Sequence, residues 1–371
     1  MTRNMLLQES FSARPRLWLG LLGLLGLALA MPARTATLCP ATESVPADFQ
    51  WGLVAYHVNF PGYELQADDL AKMAENGIQW IRVDFAWGRI EPEQGGDFDF
   101  SYFDALVEAA KANGIRIAGT LGNGYNTRIR PVAPLWTHEL SGPQYVAALG
   151  RYADAVVAHY ADDVDTWGLE NELHIAALHV LLGWRSHVYP PQVNQEILRT
   201  LSQAVDRHDP NAQIVLTVSP APGWQRFVRQ STQRLRFDAV GLYSYPSFNA
   251  GAAPTGFEAE IANQVAEARE ASGGKAVLIF ETGYQTPPDK PRTPEDEGSL
   301  LRDQQATYIE TMVRSAADGG AAGVYFYQYL DNPDELLPRE EVFGLVEPDR
   351  TPKPAWRRYG EIIGACSAQT P

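Results

Sequence analysis

The chain has 371 residues, of which 45% are hydrophobic and 20% charged, and 45 acidic against 30 basic side chains set its formal net charge at −15. A surface this acidic excludes a nucleic-acid partner, whose phosphates demand a basic footprint, and leaves an uncharged substrate such as a sugar open. With two cysteines and no Cys/His cluster at metal-ligand spacing, neither a metal nor a cofactor is expected.

The first element is Arg3, Arg14 and Arg16 followed by an apolar, glycine-rich run from Leu17 to Ala30 that ends Ala28-Leu29-Ala30. A positive flank, a short apolar core and an Ala-x-Ala site predict a secretory signal peptide over 1–30, with Ala36 as a second candidate cleavage point. The rival is an uncleaved anchor, for which the apolar run is short. Export implies a periplasmic or extracellular protein with no membrane span after cleavage. In that setting Cys39 and Cys366 are expected to form a disulfide tying the two ends of one domain together, two free thiols being the alternative.

After a leader at 31–49, the segment 51–62 gives a first strand ending near Ala55, with Tyr56, His57 and Asn59 at its exit. Ala67, Leu70, Met73 and Ala74 recur at helical spacing over 64–76. A second strand over 78–87 precedes a loop and a helix over 102–114, whose apolar stripe is Phe103, Leu106, Val107 and Ala110. Gly114 stops that helix before a third strand, 115–121. A long connection carrying Tyr125 and Trp136 leads to a helix over 143–160 and to a fourth strand, Val164 to Leu169, which breaks into polar residues at Glu170, Asn171 and Glu172.

The loop that follows, 174–192, has some helical character, and a helix over 193–210 precedes a fifth strand at 212–220. An irregular segment then reaches a sixth strand, 237–246, that ends in Tyr243 and Tyr245. A helix within 254–274 and a seventh strand follow, in which the apolar run Val277 to Phe280 delivers Glu281. After a polar, proline-rich loop at 285–300 come a helix from about 301 to 317, an eighth strand at 322–329 and a last helix at 354–365.

Eight strands alternating with helices predict an α/β fold, a (β/α)8 TIM barrel occupying 50–365 as a single domain with a short tail at 366–371. The rival is a doubly wound open sheet, which would advertise a glycine-rich phosphate loop; neither GxGxxG nor GxxxxGK[ST] follows the first strand. A barrel enzyme places its catalytic groups at the carboxyl ends of its strands. Glu172 ends the fourth strand and Glu281 the seventh. Two carboxylates flanking a glycosidic bond divide the work of cleavage, one protonating the leaving oxygen and the other attacking the anomeric carbon. Glu172 is assigned as general acid/base and Glu281 as nucleophile, with Asn171 donating a hydrogen bond to a sugar hydroxyl. Partial burial and the charge of Glu281 would keep Glu172 protonated. Glu170, two residues earlier, is either a supporting group behind the site or the acid itself.

These residues resemble the clan of (β/α)8 retaining glycoside hydrolases that includes cellulases, β-mannanases, β-xylosidases and β-galactosidases. There an Asn-Glu pair ends strand four and a second Glu ends strand seven, as with Trp167, Asn171-Glu172 and, 109 residues later, Glu281. The first-strand exit, the run Arg82, Trp87, Pro92 and the closing FGLVEPDRTPKPAW at 343–356 are similar to the β-xylosidase-like branch, which includes endoglycosidases acting on bacterial exopolysaccharides.

The resemblance implies that Arg82 lies beneath the nucleophile and keeps it ionised. It also implies that Tyr245, with Tyr243 as second choice, hydrogen-bonds that nucleophile, and that Trp87 forms part of a wall by the sugar. Two positions depart from the clan: strand three ends in Asn123 where a His is frequent, and strand eight reads Tyr325-Phe326-Tyr327-Gln328-Tyr329 with no Trp.

His57 and Asn59 serve either sugar hydroxyls or their own turns. Tyr56, Trp87, Tyr125, Trp136, Trp184, Trp224 and Tyr327 are candidates for stacking on a pyranose face. His174, His179 and His187 lack the HExxH pattern of a zinc site, and Asp331, Asp334, Glu335, Glu340 and Glu341 read as solvated rather than as a calcium loop. The expected activity is hydrolysis of β-linked oligo- or polysaccharide by a monomer. The alternatives are a non-catalytic carbohydrate-binding or scaffold barrel, and a transglycosylase using the same carboxylates.

Overall fold

A computed structural model describes residues 39, 45–55, 64–124, 126–127, 130–182, 185, 189–247, 253–286, 297–332 and 342–368. Residues 1–30, and with them the expected signal peptide, lie outside these, as do His57 and Asn59. Among the described residues no helix is long and apolar enough to cross a membrane.

Eight strands close into a barrel: β1 (Gln50–Val54), β2 (Trp80–Asp84), β3 (Arg116–Leu121), β4 (Thr166–Leu169), β5 (Gln213–Val218), β6 (Ala239–Tyr243), β7 (Ala276–Thr282) and β8 (Gly323–Tyr327). Each pairs in parallel with its sequence neighbours, and β8 returns to β1, so the expected (β/α)8 barrel is the observed fold. Between and after the strands run α1 (Ala67–Glu75), α2 (Ser101–Ala112), α3 (Gly142–Tyr160), α4 (Pro191–His208), α5 (Trp224–Thr232), α6 (Glu258–Ala271), α7 (Glu297–Asp318) and α8 (Pro354–Ser367). The entry to α3 is written into the sequence. Ser141 and Gln144 form a capping box there, with the Ser141 N–H donating to the Gln144 side chain at 3.0 Å, and a proline opens the first turn.

Two helical stretches differ from expectation, and a third bears out the helical character expected of the loop after β4. The irregular segment before β6 contains α5, which buries Trp224, Val228 and Ser231 at helical spacing between exposed Arg226 and Arg229 and half-buried Gln225 and Gln230. The loop after β4 contains a short helix, Ala176–Leu181. Finally α7 starts at Glu297, inside the loop assigned to 285–300, because Glu297, Gly298 and Ser299 carry no apolar period to mark a helix.

Side chains alternate along the strands between two apolar clusters. Ile214, Leu216, Val240, Leu242, Val277, Ile279, Val324 and Phe326 join the layer between sheet and helices, whereas Val215, Ala239, Tyr243, Leu278, Phe280, Tyr325 and Tyr327 fill the barrel interior. Small residues make room for the large ones. A Cβ on Gly52 would stand 2.3 Å from the Tyr325 ring, and one on Gly241 would stand 3.0 Å from Cβ of Phe280.

Cys39 and Cys366 are joined by a disulfide across a sequence separation of 327. Asp331, expected to be solvated, is instead buried. Its carboxylate meets the Lys353 ammonium at 2.7 Å, Lys353 also donates to Thr286 Oγ1, and the Gly344 N–H donates to Asp331. A carboxylate can leave water here because a cation and a backbone donor replace it. The other four acids of that group lie outside the described residues.

Candidate active site

The mouth of the barrel is built from strand ends. On β2, Ile81 and Val83 point to the helices, so Arg82 and Asp84 point inward, where both are 2% exposed. On β7 simple alternation would fail. Phe280 points inward, and the next residue should turn toward the helices. The pairing slips at this point: Leu242 stands opposite Ile279 but Tyr243 opposite Glu281, and a matching shift occurs against β8. This bulge inserts an extra residue and re-aims Glu281 into the mouth beside Phe280, while Thr282 reaches outward to the Tyr308 hydroxyl on α7.

Glu281 is held from two sides. Arg82 Nη1 donates to Oε2 at 2.6 Å, and Tyr245 donates its hydroxyl to Oε1 at 2.7 Å. Burial pushes the Glu281 carboxyl above the ordinary carboxylate range; Arg82 pulls it down, Glu172 pushes it up, and the hydrogen bonds from Tyr245 and Arg82 pull it down again. Burial also works against the Arg82 charge, but Tyr243, Glu281 and Asp84 outweigh it and hold the guanidinium above its usual value. Tyr245 is pushed well above the normal phenol by burial and by Glu281, so it stays a donor.

Tyr243 lends its ring instead of its hydroxyl: the Arg82 guanidinium carbon stands 4.7 Å from the ring centroid. Of the two tyrosines, it is Tyr245 that bonds Glu281.

On β4 the chain turns sharply as it leaves the sheet. Glu170 and Glu172 both take left-handed backbone conformations, φ 59° and 51°. Such conformations cost non-glycine residues roughly 1–2 kcal/mol each and persist where surrounding contacts over-determine them. Those contacts are present. Glu170 is fully buried, and Arg185 donates to both of its oxygens, at 3.2 and 2.6 Å, and to the Asn171 carbonyl at 2.9 Å. The Asn171 N–H donates to Glu170 as well, and Thr217 on β5 bonds the Leu169 and Glu170 carbonyls. Glu170 is therefore the brace of this turn, not an alternative acid facing the mouth.

The Glu172 carboxylate, 13% exposed, is left at the surface of the mouth with His179 Nε2 standing 3.4 Å from Oε2. Its charge reaches both Glu281 and Tyr243. Asn171 is 5% exposed and its Oδ1 has no hydrogen-bond partner among the described residues.

The remaining candidates separate. Tyr327, at the end of β8, is 7% exposed and packs edge-on against Phe343, which also meets Tyr245. Trp87 takes a different place from the wall expected of it. It is buried among Trp136, Tyr145 and Tyr152, and its indole N–H donates to Glu91 at 2.8 Å, because the strand has already ended and a helical turn points the ring back into the packing. Trp136 and Trp224 also belong to that packing, while Tyr56, Tyr125 and Trp184 lie outside the described residues.

At the end of β3, Asn123 donates to Asp84 at 2.7 Å, filling with a neutral amide the place where the clan often has His. Sequence reasoning missed His179 and Arg185 as parts of the site. For His179 a signal was there, a polar residue in an apolar stretch just past Glu172. Among the described residues no group of His, Cys, Asp and Glu is arranged to hold a metal ion.

Comparison with known proteins bears on the same region. A family profile described as beta-galactosidase, of glycoside hydrolase family 42, matches residues 59–139. Endo-1,4-beta-xylanase A of Phanerodontia chrysosporium is 23% identical over 255 residues, which are 66% of this chain and 57% of that one. Exo-beta-1,4-mannosidase Op5Man5 from Opitutaceae bacterium strain TAV5 superposes with a TM-score of 0.65 at 18% identity, over 86% of this chain and 59% of that one. A GH5_18 protein from Streptomyces cattleya, solved with GlcNAc, superposes with a TM-score of 0.68 at 18% identity, over 89% and 82%. The chain thus spans little more than half the length of the xylanase and the mannosidase. In sequence and in fold it is similar to (β/α)8 glycoside hydrolases.

Proposed function

We propose that the chain is a retaining β-glycoside hydrolase, with Glu281 the nucleophile and Glu172 the general acid/base. One observation carries the reading: two partly exposed glutamates stand at the mouth, one just past β4 and one on β7, the charge of Glu172 reaches Glu281, and Glu281 is clamped by a cation and a phenol. That clamp assigns the roles. Arg82 and Tyr245 both stabilise the charged form of Glu281, as a nucleophile requires, and orient its two oxygens. Glu172 has a neutral His179 beside it, which suits a group that must carry a proton to the leaving oxygen.

Attack by the Glu281 carboxylate on the anomeric carbon forms a glycosyl ester as the bond to the leaving oxygen breaks and Glu172 gives that oxygen its proton. Glu172, now a carboxylate, takes a proton from water as the water displaces Glu281. Asn171, preceding the acid, is suited to bond a sugar hydroxyl. The sugar-side role extends to Tyr327 at the end of β8, and His57 and Asn59 remain proposals for the same side. Export through a signal peptide at 1–30 is part of the proposal, and the buried Cys39–Cys366 disulfide supports it.

The test uses purified protein on 4-nitrophenyl β-xyloside, β-glucoside, β-galactoside and β-mannoside, on β-linked oligosaccharides and on bacterial exopolysaccharides. On the active substrate, Glu281→Gln is expected to abolish turnover, Glu172→Gln to lower it by about 10²–10⁴-fold, and the first product seen by NMR to keep the β configuration. Activity unchanged in both variants, or an α first product, rejects the assignment.

A further inference from the structure

The short helix Ala176–Leu181 leaves Leu178, Leu181 and Leu182 exposed yet buries His179 completely. Only Ala176 is buried with it on this helix, and the buried imidazole meets Glu172, its Nε2 standing 3.4 Å from Oε2. The position is fixed from behind by Arg185. Its backbone N–H donates to the His179 carbonyl at 3.3 Å, while its guanidinium grips Glu170 and the Asn171 carbonyl. One arginine thus ties the turn bearing the acid to the turn bearing the histidine.

We propose that His179 is a positioning residue for Glu172: its Nε2–H donates to Oε2, so that the acidic proton resides on Oε1 and faces the leaving oxygen. This rests on the functional reading above and deepens it. A protonated carboxyl has one oxygen that accepts and one that donates; a fixed donor at Oε2 decides which is which. When Oε1 loses its proton to the leaving oxygen, the same donor remains on the new carboxylate, and the imidazole itself gains and loses nothing.

A charged imidazolium would make Glu172 too strong an acid to stay protonated at neutral pH. Burial, with Arg185 acting in the same sense and Glu170 against it, holds His179 down to about 3 and hence neutral. Among the described residues, groups coupled by charge to this pair include Glu281 and Tyr243 across the mouth, and His174 on the same stretch, itself lowered to about 4 by burial.

The experiment compares kcat/KM for 2,4-dinitrophenyl and methyl β-glycosides of xylose, glucose, galactose and mannose in wild type, His179→Ala and His179→Gln. A dinitrophenolate leaves without help from an acid, whereas an alkoxide does not. His179→Ala is expected to lose about 10²-fold on the methyl glycoside, the low end of what a general acid contributes, and less than about threefold on the dinitrophenyl one. Losing a donor to the carboxylate raises the Glu172 pKa, so the alkaline limb of the pH profile moves up. Gln, whose amide nitrogen reaches the Nε2 position, is expected to restore both.

Equal losses on both substrates with an unmoved alkaline limb overturn the positioning role while leaving the glycosidase reading intact. A wild type inactive on every glycoside overturns both. If His179→Ala does not fold, His179→Asn, whose amide stops short of the Nε2 position, replaces it; equal behaviour of Asn and Gln then overturns the proposal.

Discussion

Burial and charge pull the Glu281 carboxyl in opposite directions, and Arg82 is the largest force on the side of ionisation. Removing the cation in Arg82→Met leaves burial and the Glu172 charge, which act together to raise the Glu281 pKa further. On the proposed assignment Glu281 attacks only when ionised, so activity is present above this pKa and lost as pH falls through it. Arg82→Met is therefore expected to move the acid limb of kcat/KM upward by about 1–3 pH units, the effect of an opposite charge at contact distance. Tyr245→Phe removes one hydrogen bond to the carboxylate and is expected to shift the limb the same way by less. The pH dependence of kcat/KM for a 4-nitrophenyl β-glycoside checks both. The choice between Tyr243 and Tyr245 could be posed from sequence but not made, because it depends on which of two residues at the end of β6 still follows the strand's alternation.

Among the elements, the turn leaving β4 combines backbone strain with a dense set of contacts. Two departures into left-handed backbone, at Glu170 and Glu172 on either side of Asn171, are stabilised by the bidentate Arg185 to Glu170 pair and by Thr217. Arg185→Leu leaves Glu170 buried without its cation, a defect that costs about 3–5 kcal/mol. Urea unfolding is expected to show a loss of that size, and Arg185→Leu with Glu170→Leu should recover a good part of it. The double variant is nonetheless expected to stay catalytically weak, since the brace that aims Glu172 and seats His179 is gone. Stability and activity then separate, which a purely structural ion pair would not allow. From sequence, Glu170 was visible as an acid near the site, but its partner fifteen residues on was not, because no periodic pattern relates two loop residues.

At the level of the whole molecule, closure matters at two places. β8 pairs with β1, which closes the sheet and removes its edges, and Cys39 to Cys366 links the entrance to β1 with the end of α8. Joining residues so distant in sequence restricts the unfolded chain strongly, and loss of such a bond typically costs about 2–5 kcal/mol. Reduction with dithiothreitol, or Cys39→Ser, is expected to lower the thermal midpoint by several degrees while leaving kcat/KM unchanged, because none of the described contacts of Glu172, Glu281, Arg82 or Tyr245 involves either cysteine. Differential scanning calorimetry with a parallel activity assay checks it.

The sequence alone determined the barrel, since the alternation of apolar runs with amphipathic helices leaves few other ways to bury both faces of eight strands. It also determined that Glu172 and Glu281 end the fourth and seventh strands, because an apolar run that stops at a carboxylate marks a strand's exit. Only the tertiary structure decided which way those exits face. By plain alternation Glu281 would point at the helices, and it faces the mouth because β7 bulges at Phe280 to fit both neighbours. Glu172 reaches the mouth because a buried Glu170 and a distant Arg185 hold two left-handed residues in place. A bulge and a long-range ion pair are properties of strands and loops meeting in space, and neither leaves a periodic trace in the chain.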